Sequence, residues 1–438
     1  MTMNTRCFCS MAFALSILLS TRNASAQNSS LSPMLALDNN VTKQLAELTA
    51  SDGTASFYFG YGTAVSGNTA VVGALNASFS QLDQGAAYVF VKPIGGWTNT
   101  TQVAELIASD AASSSLLGYS AAISGNTIVV GAPDHGAVYV YVKPKRGWPT
   151  IMTQTAELLA PYNANDFGWS VSISGDTIVV GAPFSGSHDQ GSAYLFVKPN
   201  GGWANTYGNY TAELSASDLG GTMNDNLGYS VSVSGDTVVV GEPSGNNNAQ
   251  PGAAYLFVKP ASGWADMTQT AELTASDALA GNAFGASVSV SSDTVLVGAS
   301  CAPVTESGCG PGAAYVFVEP VGGWVNATQT AELSASDGVD FDEFGGSVSI
   351  SGHTLAIGAP AAMVDRNQEQ GAAYIYAKPS KGWITTSKFK AKLTSSDGTP
   401  DDGFGFPVAI NGGTVAIGAS NQTVGSNNSE GVAYIFGR

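Results

Sequence analysis

The sequence predicts an all-β protein, a seven-bladed β-propeller of four-stranded antiparallel blades closed by pairing of the N- and C-terminal strands in the last blade. Three observations carry this. The first is a repeat: the glutamate of an Ala-Glu-Leu phrase stands at Glu47, Glu105, Glu157, Glu213, Glu272 and Glu332, and Lys392 takes its place in a seventh copy. These positions lie 52 to 60 residues apart, a period that marks a solenoid or a propeller. The second is composition, 44% hydrophobic but only 11% charged, with 53 glycines in 438 residues, which fits a glycine-punctuated β protein. The third is how the copies end. The chain finishes on 431-GVAYIFGR-438, a third-type strand with nothing to follow it, and opens its repeats on the orphan 43-KQLAELTA-50; together they complete one blade and hide two open edges.

Each copy holds four strand-like runs, clearest between 167 and 217. The first, 170-SVSIS-174, alternates small serine with Val or Ile, as expected where sheets crowd together. Gly175-Asp176 links it to 177-TIVVGA-182, and a two-residue link of this type between β-rich runs is a strong hairpin signal. That second run is apolar throughout, which suits a strand buried on both faces. The third is 193-AYLFVKP-199, and the fourth, 211-TAELSAS-217, alternates apolar and polar residues as a solvated outer strand does.

The recurring Phe-Gly and Gly-Ala-Pro pairs, at 167 with 181 and at 344 with 358, resemble the FG-GAP repeats of the integrin α-subunit propeller. The likeness covers residues 43–438. It thins where Leu117 and Leu227 replace Phe, and where 241-GEP, 298-GAS and 418-GAS depart from GAP. The family's calcium loops lie between the first two strands. That connection shrinks in this chain to SGDT, SGNT, SSDT, SGHT or NGGT, too short to wrap six or more oxygens around an ion. In integrins, aromatic side chains at the channel mouth form a cup for a basic side chain of the partner subunit. The matching positions, just after Phe-Gly, read Tyr61, Tyr119, Trp169, Tyr229, Ala286, Gly346 and Phe406. The resemblance thus implies a cation–π cup of Tyr61, Tyr119, Trp169, Tyr229 and Phe406, lopsided at Ala286 and Gly346; the same rings could instead plug the channel.

The N-terminus reads as a signal peptide over residues 1–26: Arg6, the apolar 11-MAFALSILLS-20 and the small residues 24-ASA-26. A disordered Asn/Ser-rich leader over 27–42 and the propeller over 43–438 follow. The expected product is a secreted, extracellular monomer with no transmembrane segment. Net charge is -17 and becomes -19 without the two leader arginines, which excludes nucleic acid as a natural partner. Beyond the leader only Cys301 and Cys309 remain, bracketing 302-APVTESG-308, and an oxidising compartment favours their pairing. Sequons at Asn40, Asn76, Asn99, Asn209, Asn326, Asn421 and Asn427 are glycan acceptors in a eukaryotic source.

Acidic loops precede several Phe-Gly pairs, the densest holding Asp337, Asp340, Asp342 and Glu343. They read either as capped, solvated turns or as a Ca2+ site; no cofactor is required. Gly-Trp pairs recur at Trp97, Trp148, Trp203, Trp264, Trp324 and Trp383, as staples for one hairpin or as sugar-stacking platforms. The histidines, His135, His188 and His353, share no repeat position, and no nucleophile elbow, phosphate loop or zinc-protease motif occurs. The sequence therefore points to a non-enzymatic binding module for an extracellular protein; the alternatives are a lectin-like, carbohydrate-binding propeller and, behind it, a polysaccharide-acting enzyme.

Overall fold

Seven sheets are arranged in the order the repeats predict. The computed structural model describes residues 16–18, 42–161, 164–186, 188–217, 225–243, 250–304 and 308–438. The signal-peptide and leader readings fall almost wholly outside these residues. The inner strands of blades 1 to 7 are Phe59–Ser66, Ser120–Ser124, Ser170–Ser174, Ser230–Ser234, Phe284–Ser291, Ser347–Ser351 and Val408–Asn411. Blade 3 shows the common plan: Ser170–Ser174, Thr177–Ala182, Ser192–Val197 and Ala212–Ser215 pair in sequence, all antiparallel. Blade 7 is split as expected, with Lys43–Thr49 antiparallel to Val432–Gly437. This pairing ties the first repeat to the last and removes the exposed edges an open ring would carry.

One element escapes the sequence reading. The outer strands of five blades gain a further short strand, in parallel, from the next blade around the ring: Thr100–Thr101 in blade 7, Ile151–Thr153 in blade 1, Thr206–Tyr207 in blade 2, Met267–Thr268 in blade 3 and Ala327–Thr328 in blade 4. Segments of two or three residues carry no periodicity, so pattern alone cannot reveal them. In four of the five, a glutamine just after the strap reinforces it. Gln154 accepts the Ser109 N–H at 3.0 Å and donates its amide to the Ser109 hydroxyl at 2.9 Å. Gln102 with Ser51, Gln269 with Ser217 and Gln329 with Ser276 repeat the exchange.

Towards the axis the blades interlock through glycine and serine. Trp169 N–H bonds to Asp166 O at 3.0 Å across Phe167-Gly168, and Gly168 has φ +99°. A residue with a Cβ is strained at that turn position. Gly181, the glycine of GAP, lies against the next blade, where an added Cβ would collide with the Gly228 carbonyl. The same collision awaits Gly418 at the Gly60 carbonyl, so the interlock passes through the closure. The alternating serines satisfy backbone donors of the following inner strand, as in Ser172 Oγ accepting Val233 N–H at 3.1 Å and Ser349 Oγ accepting Ile410 N–H at 3.1 Å. An unpaired buried N–H is costly, so this ladder accounts for the Ser-Val-Ser-Ile-Ser pattern. Blades 7, 1 and 2 carry Ala409, Ala64 and Ala122 at the middle serine position. Against blade 3, which follows Ala122, the strand Ser16–Leu18 pairs in parallel with Val171–Ile173.

The apolar core lies between blades. Phe167 is fully buried, in edge or tilted contact with Tyr194 and Phe196 and packed with Val129 and Val140 of blade 2. Five of the six Gly-Trp indoles are buried and Trp148 is half-buried, which fits the staple reading.

Candidate functional site

Antiparallel order places the loops entering each inner strand on the same face as the loops between second and third strands. The residue before each Phe-Gly, or Leu-Gly, is left-handed in every blade: Tyr58, Leu116, Asp166, Asn226, Ala283, Glu343 and Gly403 have φ between 53° and 68°. Six of these are not glycine, a strained choice that recurs at the rim of the channel. The turn then projects the following residue into the mouth.

Five blades supply an aromatic residue there, and the structure brings the rings together. Phe406, Tyr61, Tyr119, Trp169 and Tyr229 form a continuous arc with successive centroid separations of 6.3, 5.1, 4.9 and 5.5 Å. Phe184 closes edge-on against Trp169 at 5.4 Å, and Leu75 packs with the rings. Tyr119, Trp169, Tyr229 and Phe406 are each less than a tenth exposed. The rings thus cover one another's faces and fill this side of the mouth. Burial pushes the Tyr61 hydroxyl up to about 12. The Trp169 Nε1 donor has no hydrogen-bond partner.

The arc stops at blades 5 and 6, where Ala286 and Gly346 stand. The acidic quartet of the sequence lies in this sector, but its members are used separately. Asp337 pairs with Lys392 at 2.7 Å. Asp342 accepts the Val339 N–H at 2.9 Å and also binds the Met363 N–H, with burial holding its carboxyl above the usual range. Glu343 is raised to about 7 by burial and by Glu369. Asp340 is exposed. Among the described residues these four do not gather three donor atoms within 4.8 Å. Through its two backbone partners Asp342 ties the loop that carries Val339 and Phe341 to the loop that carries Met363, and all three of these apolar side chains are more than half exposed. The Phe341 N–H bonds to Gly310 O beside the Cys301–Cys309 disulfide, which forms as expected with a Cα–Cα distance of 4.4 Å.

A second feature recurs around the face and was missed in the sequence. In four blades the Asp of a Ser-Asp turn accepts the hydroxyl of a third-strand tyrosine: Asp52 from Tyr88, Asp110 from Tyr139, Asp277 from Tyr315 and Asp397 from Tyr434. The Ala-Glu-Leu glutamate lies directly across from the same tyrosine, as Glu157 across from Tyr139. Two carboxylates thereby share each position, and Glu47, Glu157 and Glu332 are held above the ordinary glutamate range, first by burial and then by the neighbouring Asp. In blade 6 the partner across from Tyr374 is Lys392, whose ammonium sits 2.7 Å from Asp337. The departure from Ala-Glu-Leu at Ala-Lys-Leu is thus a built-in counter-ion. The signal was present in the sequence, since Ser-Asp and Ala-Glu-Leu share one period, but their meeting through tyrosine requires the folded blade.

A family model for the FG-GAP repeat matches seven times, at residues 42–90, 100–141, 152–196, 209–257, 267–317, 327–376 and 388–436. The chain belongs to the FG-GAP repeat family. Each FG-GAP match opens on an outer strand and closes on the third strand of the next blade, so the sequence unit is offset by one strand from the structural blade. That offset is why the first and last copies must share a blade. No curated protein sequence matches the chain at a significant level. Among solved structures, the WD40 β-propeller domain of Doa1 is similar in fold, with a TM-score of 0.51 at 9% identity, covering 90% of this chain and 97% of that one. No helix among the described residues is long and apolar enough to cross a membrane.

Proposed function

We propose that this FG-GAP propeller is a secreted, non-enzymatic binding module that engages an extracellular protein through its loop-rich face, as in adhesion or matrix contact. The observation that carries the reading is the sector at blades 5 and 6. Val339, Phe341 and Met363 expose apolar side chains on two loops tied together by Asp342 and braced by the disulfide. The same two loops carry the acidic residues Asp337, Asp340, Glu343 and Glu369. Pre-ordered apolar side chains bind at low entropic cost, and an acidic rim on a chain of net charge -17 favours a partner with a basic, apolar surface. The neighbouring aromatic arc supplies a rigid wall for this sector. The buried Gly-Trp indoles offer the glycan reading no stacking platform.

The test is a pull-down from extracellular matrix and cell-surface extracts, comparing the secreted chain with V339S/F341S/M363S. Specific capture that the triple variant loses, at an unchanged melting temperature, supports the proposal. Capture that the variant retains in full overturns this location for the contact, and hits confined to a glycan array overturn the protein-partner reading.

A further inference from the structure

We propose that Asp110, His135 and Glu157 form a binding site for one zinc-type divalent cation on the loop-rich face of blade 2. One donor atom from each lies within 4.8 Å of the others. His135 Nε2 stands 3.4 Å from Asp110 Oδ2. Two donors about 2.0–2.1 Å from a tetrahedral zinc ion are about 3.3 Å apart, so this edge of the site is already at its liganded length. An imidazole nitrogen with two carboxylate oxygens suits zinc and its neighbours better than calcium, which takes six or more oxygens. Three protein donors leave one position open. Asp110 and His135 are partly exposed, so that position faces solvent.

Blade 2 alone, among the described residues, assembles this set, and the cause is the length of one loop. Its second and third strands, Thr127–Ala132 and Ala137–Val142, are joined by a single turn of 3-10 helix, Pro133–His135. Gly136, left-handed at φ 64°, ends that turn. The tight connection holds His135 against Asp110 instead of carrying it away over the surface. Tyr139 donates its hydroxyl to the same Asp110 oxygen at 3.2 Å, an outer partner that fixes the carboxylate as second-layer hydrogen bonds do in metal sites.

Two independent features point to a cation. Glu157 is more than nine-tenths buried and faces the Asp110 carboxylate, and within blade 2 His135 is the basic side chain that pairs with that carboxylate. Blade 6 supplies the comparison: across from the equivalent tyrosine it has Lys392, with its ammonium 2.7 Å from the equivalent aspartate. The fold therefore accommodates a positive charge at this spot, as a side chain in blade 6 and as a bound ion in blade 2.

The experiment is a calorimetric titration of the full chain, stripped with EDTA, with Zn2+ and separately with Ca2+. The expected result is one Zn2+ per chain, affinity at least tenfold weaker in H135A, and no binding in E157K. The latter copies blade 6 and should melt at or above the metal-free parent. H353N, altered on the opposite face, should bind as the parent does. Absence of Zn2+ binding up to 1 mM by the folded parent, or equal affinity in the parent, H135A and E157K, overturns the proposal. Calcium binding that H135A leaves unchanged, without zinc binding, overturns the assignment of a zinc-type ion.

Discussion

The mouth of the propeller has two unlike halves. From blade 7 through blade 4, one aromatic side chain per blade closes the entrance in a continuous arc. At blades 5 and 6 the same backbone turn presents Ala286 and Gly346, and the bulk moves outward to Val339, Phe341 and Met363 on the loops. Both halves share the interlock of glycines, although blades 7, 1 and 2 carry alanine at the middle serine position, so their main difference is one of side chains on a common frame. Such a division lets the loop-rich face vary without disturbing the packing that closes the ring.

The largest effect should come from the shared frame. Gly181→Ala in blade 3 and Gly358→Ala in blade 6 each drive a Cβ into a backbone carbonyl of the next blade, Gly228 and Gly405 respectively. Backbone atoms yield little, so a loss of about 3 kcal/mol is expected for each, read as a lowered midpoint in urea. A loss in blade 3 alone would break the claim that the frame is uniform.

The halves should separate when their own side chains are cut. Trp169→Ala removes a buried ring touching Tyr119, Phe184 and Tyr229 and should cost roughly 2–3 kcal/mol, less than a ring sealed in a core because this one borders the channel mouth. Phe341→Ala, on an exposed side chain, should change stability by no more than about 0.5 kcal/mol. Equal costs in thermal unfolding would show that the outer loops are part of the core.

A smaller effect is the pH dependence that Glu343 brings to the blade 5–6 half. Burial and Glu369 raise Glu343 to about 7, against an ordinary 4.5. The folded state therefore holds this proton more tightly than the unfolded chain does. Stability from this group is full below about pH 4.5, declines as pH rises towards 7, and stays reduced above it. Glu343→Gln should accordingly stabilise the protein at pH 8 by roughly 1–2 kcal/mol, allowing for partial solvent screening, and leave it unchanged at pH 4. Parallel melting curves at both pH values would remove Glu343 from this account.

The architecture was legible because its causes are periodic. Phe-Gly, Gly-Ala-Pro and Ala-Glu-Leu recur with the spacing of one sequence unit, and the orphan strands at 43 and 432 leave a split blade as the closure. The parallel straps at Thr100–Thr101 and its counterparts were not legible, since two residues form no pattern and their partner belongs to another blade. The mouth was half legible: position after Phe-Gly located Tyr119 and Trp169, but only the folded ring shows that they cover each other.

The blade 2 cluster marks the boundary most clearly. Read along the chain, Asp110, His135 and Glu157 are a turn acid, a loop histidine and one of six repeated glutamates, separated by more than twenty residues at each step. The sequence by itself determined the number of blades, their strand order and where the ring closes, because those follow from repetition and from residues that only one backbone shape permits. Which unlike side chains meet was decided by the tertiary structure, where a one-turn loop and an antiparallel neighbour bring together groups that no spacing relates.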